Sequence, residues 1–215
     1  MSTQPDTSLR ATKRLKTRIS VEDAATALVL RDGFDNVTVE DICAAAEISK
    51  RTFFNYFDSK ENAVFGDTQV DILPQLREEF LSHPHEDLPE AVIRLHMNLV
   101  FSGKDFDPHT RGEIIRRRKA IRHNNPERSF NYNALYHKVF INFKTLVSDY
   151  FERFPEQRRL GGDVDVEATA VVLSSSYAIR FGFTLWANSP SASFSTLEES
   201  CLEALVHLRT INKGL

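Results

Sequence analysis

Residues 37–60 read VTVEDICAAAEISKRTFFNYFDSK, and the fold turns on how this stretch is wound. Thr38 stands just ahead of an apolar-periodic run, with Asp41 three residues on. Its hydroxyl can accept from the free N–H groups of a helix starting at Val39, and Asp41 is a shorter-armed version of the Glu or Gln that completes a capping box. At 3.6 residues per turn, Val39, Ile42, Cys43 and Ala46 share one apolar face, while Glu40, Asp41, Ala44 and Ala45 lie on the other. Ser49 repeats the cap signal. A second helix from Lys50 sends Phe53 and Phe57 inward and turns Arg51 and Asn55 outward, with Thr52 and Phe54 on its margins. Asp58 or Ser59 then opens a third helix that carries Lys60 in its first turn.

Two short capped helices and a third helix start in two dozen residues suit the insertion of a helix into a DNA major groove. The outward side chains have the matching chemistry. Arg bonds guanine O6 and N7 bidentately, Asn does the same to adenine N6 and N7, and Thr or aromatic edges meet thymine methyls or phosphates. Lys50 sits in the first turn, where recognition helices touch bases. Lys60 adds a cation beside a helix N-terminus that already attracts phosphate. A small amphipathic hairpin with merely solvated cations has the same spacing, and spacing alone leaves it open.

The run Thr38, Val39, Asp41, Ile42, Ala46, Ile48, Ser49, Thr52, Phe53, Tyr56, Phe57, Lys60 and Glu61, preceded by Ala24, Ala25, Gly33 and Phe34, resembles the N-terminal domain of TetR-family transcriptional regulators. The resemblance covers roughly residues 10 to 66. It implies that Lys50, Arg51 and Asn55 face base edges and that Thr38, Thr52, Tyr56 and Lys60 hold phosphates, the first set giving specificity and the second affinity. Two positions depart from the pattern. Glu47 stands where the family often has Gly, so either a non-Gly residue takes a left-handed conformation or the turn differs. Phe54 stands where the family often has a Tyr hydroxyl, leaving packing or a thymine contact.

The chain of 215 residues, 41% apolar, can build one large core or two small ones. Its formal charge of −3 is unusual for a DNA binder, but the charge is unevenly spread. Arg10, Lys13, Arg14, Lys16 and Arg18 occur without an acid between residues 8 and 20, as a basic arm or first helical turn able to track phosphates or enter a minor groove. A solvated N-terminus is the alternative. Cys43 and Cys201 belong to no CxxC or Cys/His cluster and read as buried, reduced thiols. Residues 1–20 have no apolar signal core, and the longest apolar run, 164–186, still holds Glu167 and Arg180. A cytoplasmic protein with no membrane partner is expected.

Periodicity and punctuation predict an all-α chain. A first helix runs from Leu9 or Lys13 to Arg31 and is ended by Gly33. A long helix from Ser59 continues to the His83-Pro84 break. Further helices follow from Pro89 to Phe101, from Asp107-Pro108 to Arg122, from Asn125-Pro126 to Phe154-Pro155, and from Asp163 or Asp165 to Trp186. A separate last helix has Ser195 and Glu198 as a capping box and ends near Ile211. The expected division is a helix-turn-helix DNA-binding head at 1–66 with its basic arm, and a ligand-binding and dimerisation bundle at 67–215. The 164–186 helix is small or apolar around most of its circumference, with Ala168, Ala170, Ser174, Ala178 and Gly182 inviting close backbone approach. With 196–211 it predicts a four-helix homodimer interface, although a central position in a monomer would use the same residues. TetR-like proteins dimerise in this way.

Aromatic residues with scattered polar groups make His96, Tyr136, Phe140, Tyr177 and Arg180 candidates for a small-molecule pocket, though a packed core has the same composition. The basic run Arg116 to Lys119 fits a solvated helix face better than a phosphate or coenzyme A grip. His83 and His85 lack a third ligand, so no metal is expected. No nucleophile elbow, phosphate-cradling Gly loop or HExxH helix occurs, so no enzyme, catalytic residue or cofactor is expected. The resemblance implies a regulator on a pseudo-palindromic double-stranded operator, a repressor released by a small-molecule effector. An all-helical interaction module or an activator on the same fold is the alternative.

Overall fold

The computed structural model describes residues 6–66, 71–101, 107–127, 130–187 and 194–212. Among them every regular element is helical: α1 (Asp6–Asp32), α2 (Val39–Ala45), α3 (Lys50–Phe54), α4 (Lys60–Phe65), α5 (Pro74–Phe80), α6 (Leu88–Phe101), α7 (Pro108–Asn124), α8 (Phe130–Arg153), a 3-10 turn (Pro155–Gln157), α9 (Val164–Ala187) and α10 (Phe194–Asn212). The chain divides into two compact units, residues 1–69 with 103–132, and residues 70–102 with 133–215.

In the first unit one side of α1, through Val21, Ala25 and Val29, meets Ile42 and Cys43 of α2, Phe53 of α3, and Ala63 and Val64 of α4. Phe34 and Val37 plug the gap after α1, and Ile121 of α7 completes the cluster. Phe53 and Ile42 are fully buried, each burial stabilising by about 1.5–3 kcal/mol. The basic run of α7 is not a solvated face. Arg117 donates to Asp23 Oδ1 at 2.7 Å, and Arg118 donates to the carbonyls of Val64 and Ala63 at 3.0 and 3.1 Å.

The local signals of the motif are all realised. Thr38 caps α2 in a capping box with Asp41: the Asp41 N–H donates to Thr38 Oγ1 at 3.2 Å and the Thr38 N–H to Asp41 Oδ2 at 2.8 Å. Bonds from Thr38 hold the Asp41 carboxyl below its ordinary range. Ser49 caps α3 and Ser59 caps α4. The turn after α2 is a Schellman motif, with the Ile48 N–H donating to Cys43 O at 3.0 Å and the Glu47 N–H to Ala44 O at 3.3 Å. Glu47 takes the left-handed position at φ 53°. A Cβ there costs roughly 1–2 kcal/mol, part of which the larger unfolded-state entropy of Gly offsets. Glu47→Gly is therefore expected to stabilise the first unit by about 0.5–1 kcal/mol; thermal unfolding at or below the wild-type midpoint would contradict this.

Three expected boundaries move. The long helix expected from Ser59 is two: α4 stops at Gly66, whose φ is 99°, and α5 starts afresh with Pro74 in its first turn. Asn125, expected to open α8, ends α7 instead, its side chain donating to Ile121 O at 2.8 Å. Ser195 lies inside α10 rather than ahead of it, and its side chain is outside the described residues.

The second unit is built on α6, α8, α9 and α10, with Phe143, Val147, Tyr150 and Phe151 of α8 facing Val92 and Leu95 of α6 and Ala168 and Val172 of α9. Ion pairs tie its elements, Arg94 to Glu198 at 2.6 Å, Lys144 to Asp165 at 2.7 Å, and Arg209 to Asp87. Here the small residues of α9 serve the chain's own α10. A Cβ on Gly182 would meet Cys201 Cα at 2.4 Å, and Ala178 is fully buried. Burial pushes the Cys201 thiol up to about 12 and raises that of Cys43, so both stay protonated near neutral pH. No helix among the described residues is long and apolar enough to cross a membrane.

Candidate nucleic-acid interface

The reading surface is set by what lies beneath it. Phe53 and Phe57 anchor α3 in the core, their ring centroids 5.5 Å apart, and this burial turns Lys50, Arg51, Phe54 and Asn55 to solvent. The helix itself is only five residues long, and Asn55 forms its C-cap. Phe54, 55% exposed, leans edge-on against Phe53 at 5.3 Å. It offers an apolar edge beside Arg51 and Asn55, where a thymine methyl would fit.

Lys50 is not a bare cation. Its Nζ pairs with the Glu40 carboxylate of α2, an acid that the pattern of the motif alone does not mark. The residues expected to hold phosphates are also bonded within the chain. Thr38 and Asp41 exchange bonds, and the Thr52 and Ser49 hydroxyls lie 2.8 Å apart. Lys60 is the largest change from expectation: its Nζ donates to Phe34 O and Val37 O, both at 2.7 Å, and lies 4.0 Å from the Phe34 ring centroid. Two of its three donors close the link between α1 and α2, so its first role is structural. Tyr56 is half-buried, with the Arg14 guanidinium 5.8 Å from its ring centroid. Arg18 lies 4.8 Å from the Phe57 ring centroid, donates to Tyr56 O at 3.4 Å and pairs with Glu22 at 3.3 Å. The basic stretch ahead of the motif is therefore helical, and Lys13, Arg14 and Lys16 are its exposed members among the described side chains.

Of the pocket candidates, His96 and Phe140 lie at the second core and Tyr177 and Arg180 at the surface. His96 is half-buried beside Phe143, ring centroids 5.5 Å apart, and burial brings its pKa down to about 4, so it is neutral near pH 7. Phe140 packs on the second core. Tyr177 and Arg180 are exposed on α9, and the side chain of Tyr136 lies outside the described residues. A cleft of about 100 Å3 lies among His85, Leu88, Tyr150, Gln157, Arg159 and Glu167, and His96, Phe140, Tyr177 and Arg180 do not line it. Among the described residues no three His, Cys, Asp or Glu side chains gather as a metal site requires.

The sequence profile of the family described as bacterial regulatory proteins, tetR family, matches residues 23–63. The chain is 33% identical over 110 residues to MftR of Mycobacterium tuberculosis, a transcriptional regulator named for mycofactocin biosynthesis, covering 51% of this chain and 52% of that protein. It is 42% identical over 60 residues to the HTH-type transcriptional regulator TcmR of Streptomyces glaucescens, covering 28% of this chain and 26% of the relative. The matches thus span about half of one relative and a quarter of the other. Among solved structures, the transcriptional regulator FadR of Bacillus subtilis in complex with stearoyl-CoA aligns with 87% of this chain and 96% of its own, at 18% identity and a TM-score of 0.51, a likeness of fold. The matched family profile falls on the capped motif and its aromatic core, so residues 23–63 form a TetR-type DNA-binding domain near the N-terminus.

Proposed function

We propose that this protein is a sequence-specific transcriptional regulator that binds its operator as a homodimer, a repressor released by a small-molecule effector. The observation that carries the reading is the exposed set Lys50, Arg51, Phe54 and Asn55 on a helix whose opposite face, through Phe53, is fully buried. Arg51 and Asn55 are the base readers in this proposal, with Lys50 beside them. Thr38, Thr52 and Tyr56 meet the backbone, together with the exposed cations of α1. For the dimer, Val166, Leu173 and Tyr177 follow one another at helical spacing on the outer side of α9, at 61%, 41% and 61% exposure, and Val206 and Ile211 are exposed on α10. Such a stripe is best covered by a second copy, which places two heads on half-sites about one helical turn or a multiple apart. Tyr177 and Arg180 then belong to this face, leaving His96 and Phe140 as the described candidates for effector contact.

The test is salt-sensitive retardation of the duplex upstream of the protein's own gene, with two protected half-sites; no retardation at low salt overturns the reading. Within that assay Arg51→Ala is expected to weaken operator binding by on the order of tenfold or more per half-site, since a bidentate Arg–guanine contact is worth about 1–3 kcal/mol of discrimination. Binding to random duplex should change far less, and one position in each half-site should lose its base preference. An equal loss on both duplexes would remove Arg51 from the base-reading set.

A further inference from the structure

Lys50 and Glu40 meet across the turn of the motif, one from the first residue of α3 and the other from the first turn of α2. Both side chains are more than half exposed, yet they are paired with each other. The pairing is set by rigid local structure: the Schellman turn fixes the end of α2, and the Ser49 cap, whose Oγ accepts from the Thr52 N–H at 3.0 Å, fixes the start of α3. The bond from Lys50 holds the Glu40 carboxyl below its ordinary range, so Glu40 is an anion near neutral pH. The Lys50 ammonium is thereby held against α2.

We propose that Glu40 is a positioning residue of the DNA interface: it keeps Lys50 in an internal ion pair that a DNA acceptor must displace, so that Lys50 contributes fully only opposite a matched acceptor. The inference rests on the DNA-binding reading above. A lone lysine gains affinity for any phosphate because the contact releases a condensed counterion. A lysine that already holds a carboxylate gains much less, because the freed carboxylate takes up a cation of its own. At a matched site guanine O6 and N7, or a phosphate fixed by the other contacts, replaces the carboxylate at little loss. Glu40 therefore weakens random binding more than operator binding.

The test is a double-mutant cycle with wild type, Glu40→Gln, Lys50→Gln and the double variant. Each is titrated on random-sequence duplex and on the upstream duplex over a range of salt. Glu40→Gln is expected to tighten random binding by up to about fivefold per head, the usual ceiling for an exposed pair, and to steepen the salt dependence by about one unit per head. The ratio of operator to random affinity should fall. In the Lys50→Gln background most of this change should vanish, because Glu40 acts through Lys50. Equal tightening in both backgrounds would mean simple repulsion between Glu40 and DNA and would overturn the proposal, as would no tightening in either. A wild-type protein that binds neither duplex removes the DNA-binding reading and this inference together, whereas the other two failures leave that reading standing.

Discussion

Gly182→Ala should lower the stability of the second unit by about 3 kcal/mol, the upper end of what overpacking costs, with a fall in midpoint of roughly 6–12 °C. The added Cβ would lie 2.4 Å from Cys201 Cα, 2.6 Å from Cys201 N and 2.8 Å from Cys201 Sγ. Two of these atoms are backbone, so no rotamer change relieves the contact. α9 and α10 would have to separate, opening the neighbouring contacts of Ala178, Leu197 and Ala204, all fully buried. Trp186, the only tryptophan in the chain and 1% exposed on α9, reports the transition by fluorescence during urea unfolding. A second variant makes the prediction sharper. Cys201→Ala removes Sγ and nothing else of the clash, so it should not rescue Gly182→Ala; full rescue would show that the thiol, not the backbone approach, sets the tolerance. Because the same two helices carry the exposed stripe proposed as the dimer face, Gly182→Ala should also weaken self-association, read by sedimentation.

The same pair of helices shows where sequence reasoning reaches and where it stops. Gly182, Ala178 and Ala168 announce a close approach, because small side chains are what two backbones need between them. They do not say which backbone. The all-round apolar pattern points to a second copy, whereas the structure packs Gly182 on α10 and Ala168 on α8 of the same chain, leaving the larger Val166, Leu173 and Tyr177 outside. The head was more legible because its signals are local: Thr38, Ser49 and Ser59 each cap a helix that starts at the next residue. Glu47 could be flagged as a problem for the turn, but only φ 53° decides that it takes the left-handed position. The break between α4 and α5 was hidden by apolar residues that kept a helical period across Gly66 and Pro74. The internal partners of Lys60, Arg117 and Arg118 are not legible in the sequence for another reason. These partners lie 23 or more residues away in sequence, and no periodicity connects a side chain to a distant group.

Arg118→Ala is the variant expected to damage the first unit most, by about 2–3 kcal/mol, the scale of hydrogen bonds to a charged group left unmade in a part-buried setting. Arg118 donates through Nε to Val64 O and through Nη2 to Ala63 O, and its Nη2 lies 3.4 Å from the Glu22 carboxylate, the pair being only 16% and 14% exposed. It therefore satisfies carbonyls in the last turn of α4, which a six-residue helix cannot satisfy itself, and gives Glu22 of α1 a counter-charge. Lys should recover only part of the loss, because one ammonium cannot reproduce the planar fork that spans two carbonyls and a carboxylate. Trp186 sits in the other unit and should be nearly silent, so the measurement is amide hydrogen exchange across α4, which should accelerate at Ala63 to Gly66 in Arg118→Ala. The effect should extend to the reading surface. Lys60 in the first turn of α4 is tied to the carbonyls of Phe34 and Val37, so a loosened α4 loosens the chain entering α2. Operator and random-duplex binding should both weaken, in contrast to the base-specific loss expected of Arg51→Ala. Unchanged exchange in α4 would mean that α7 merely lies against the head and does not hold it.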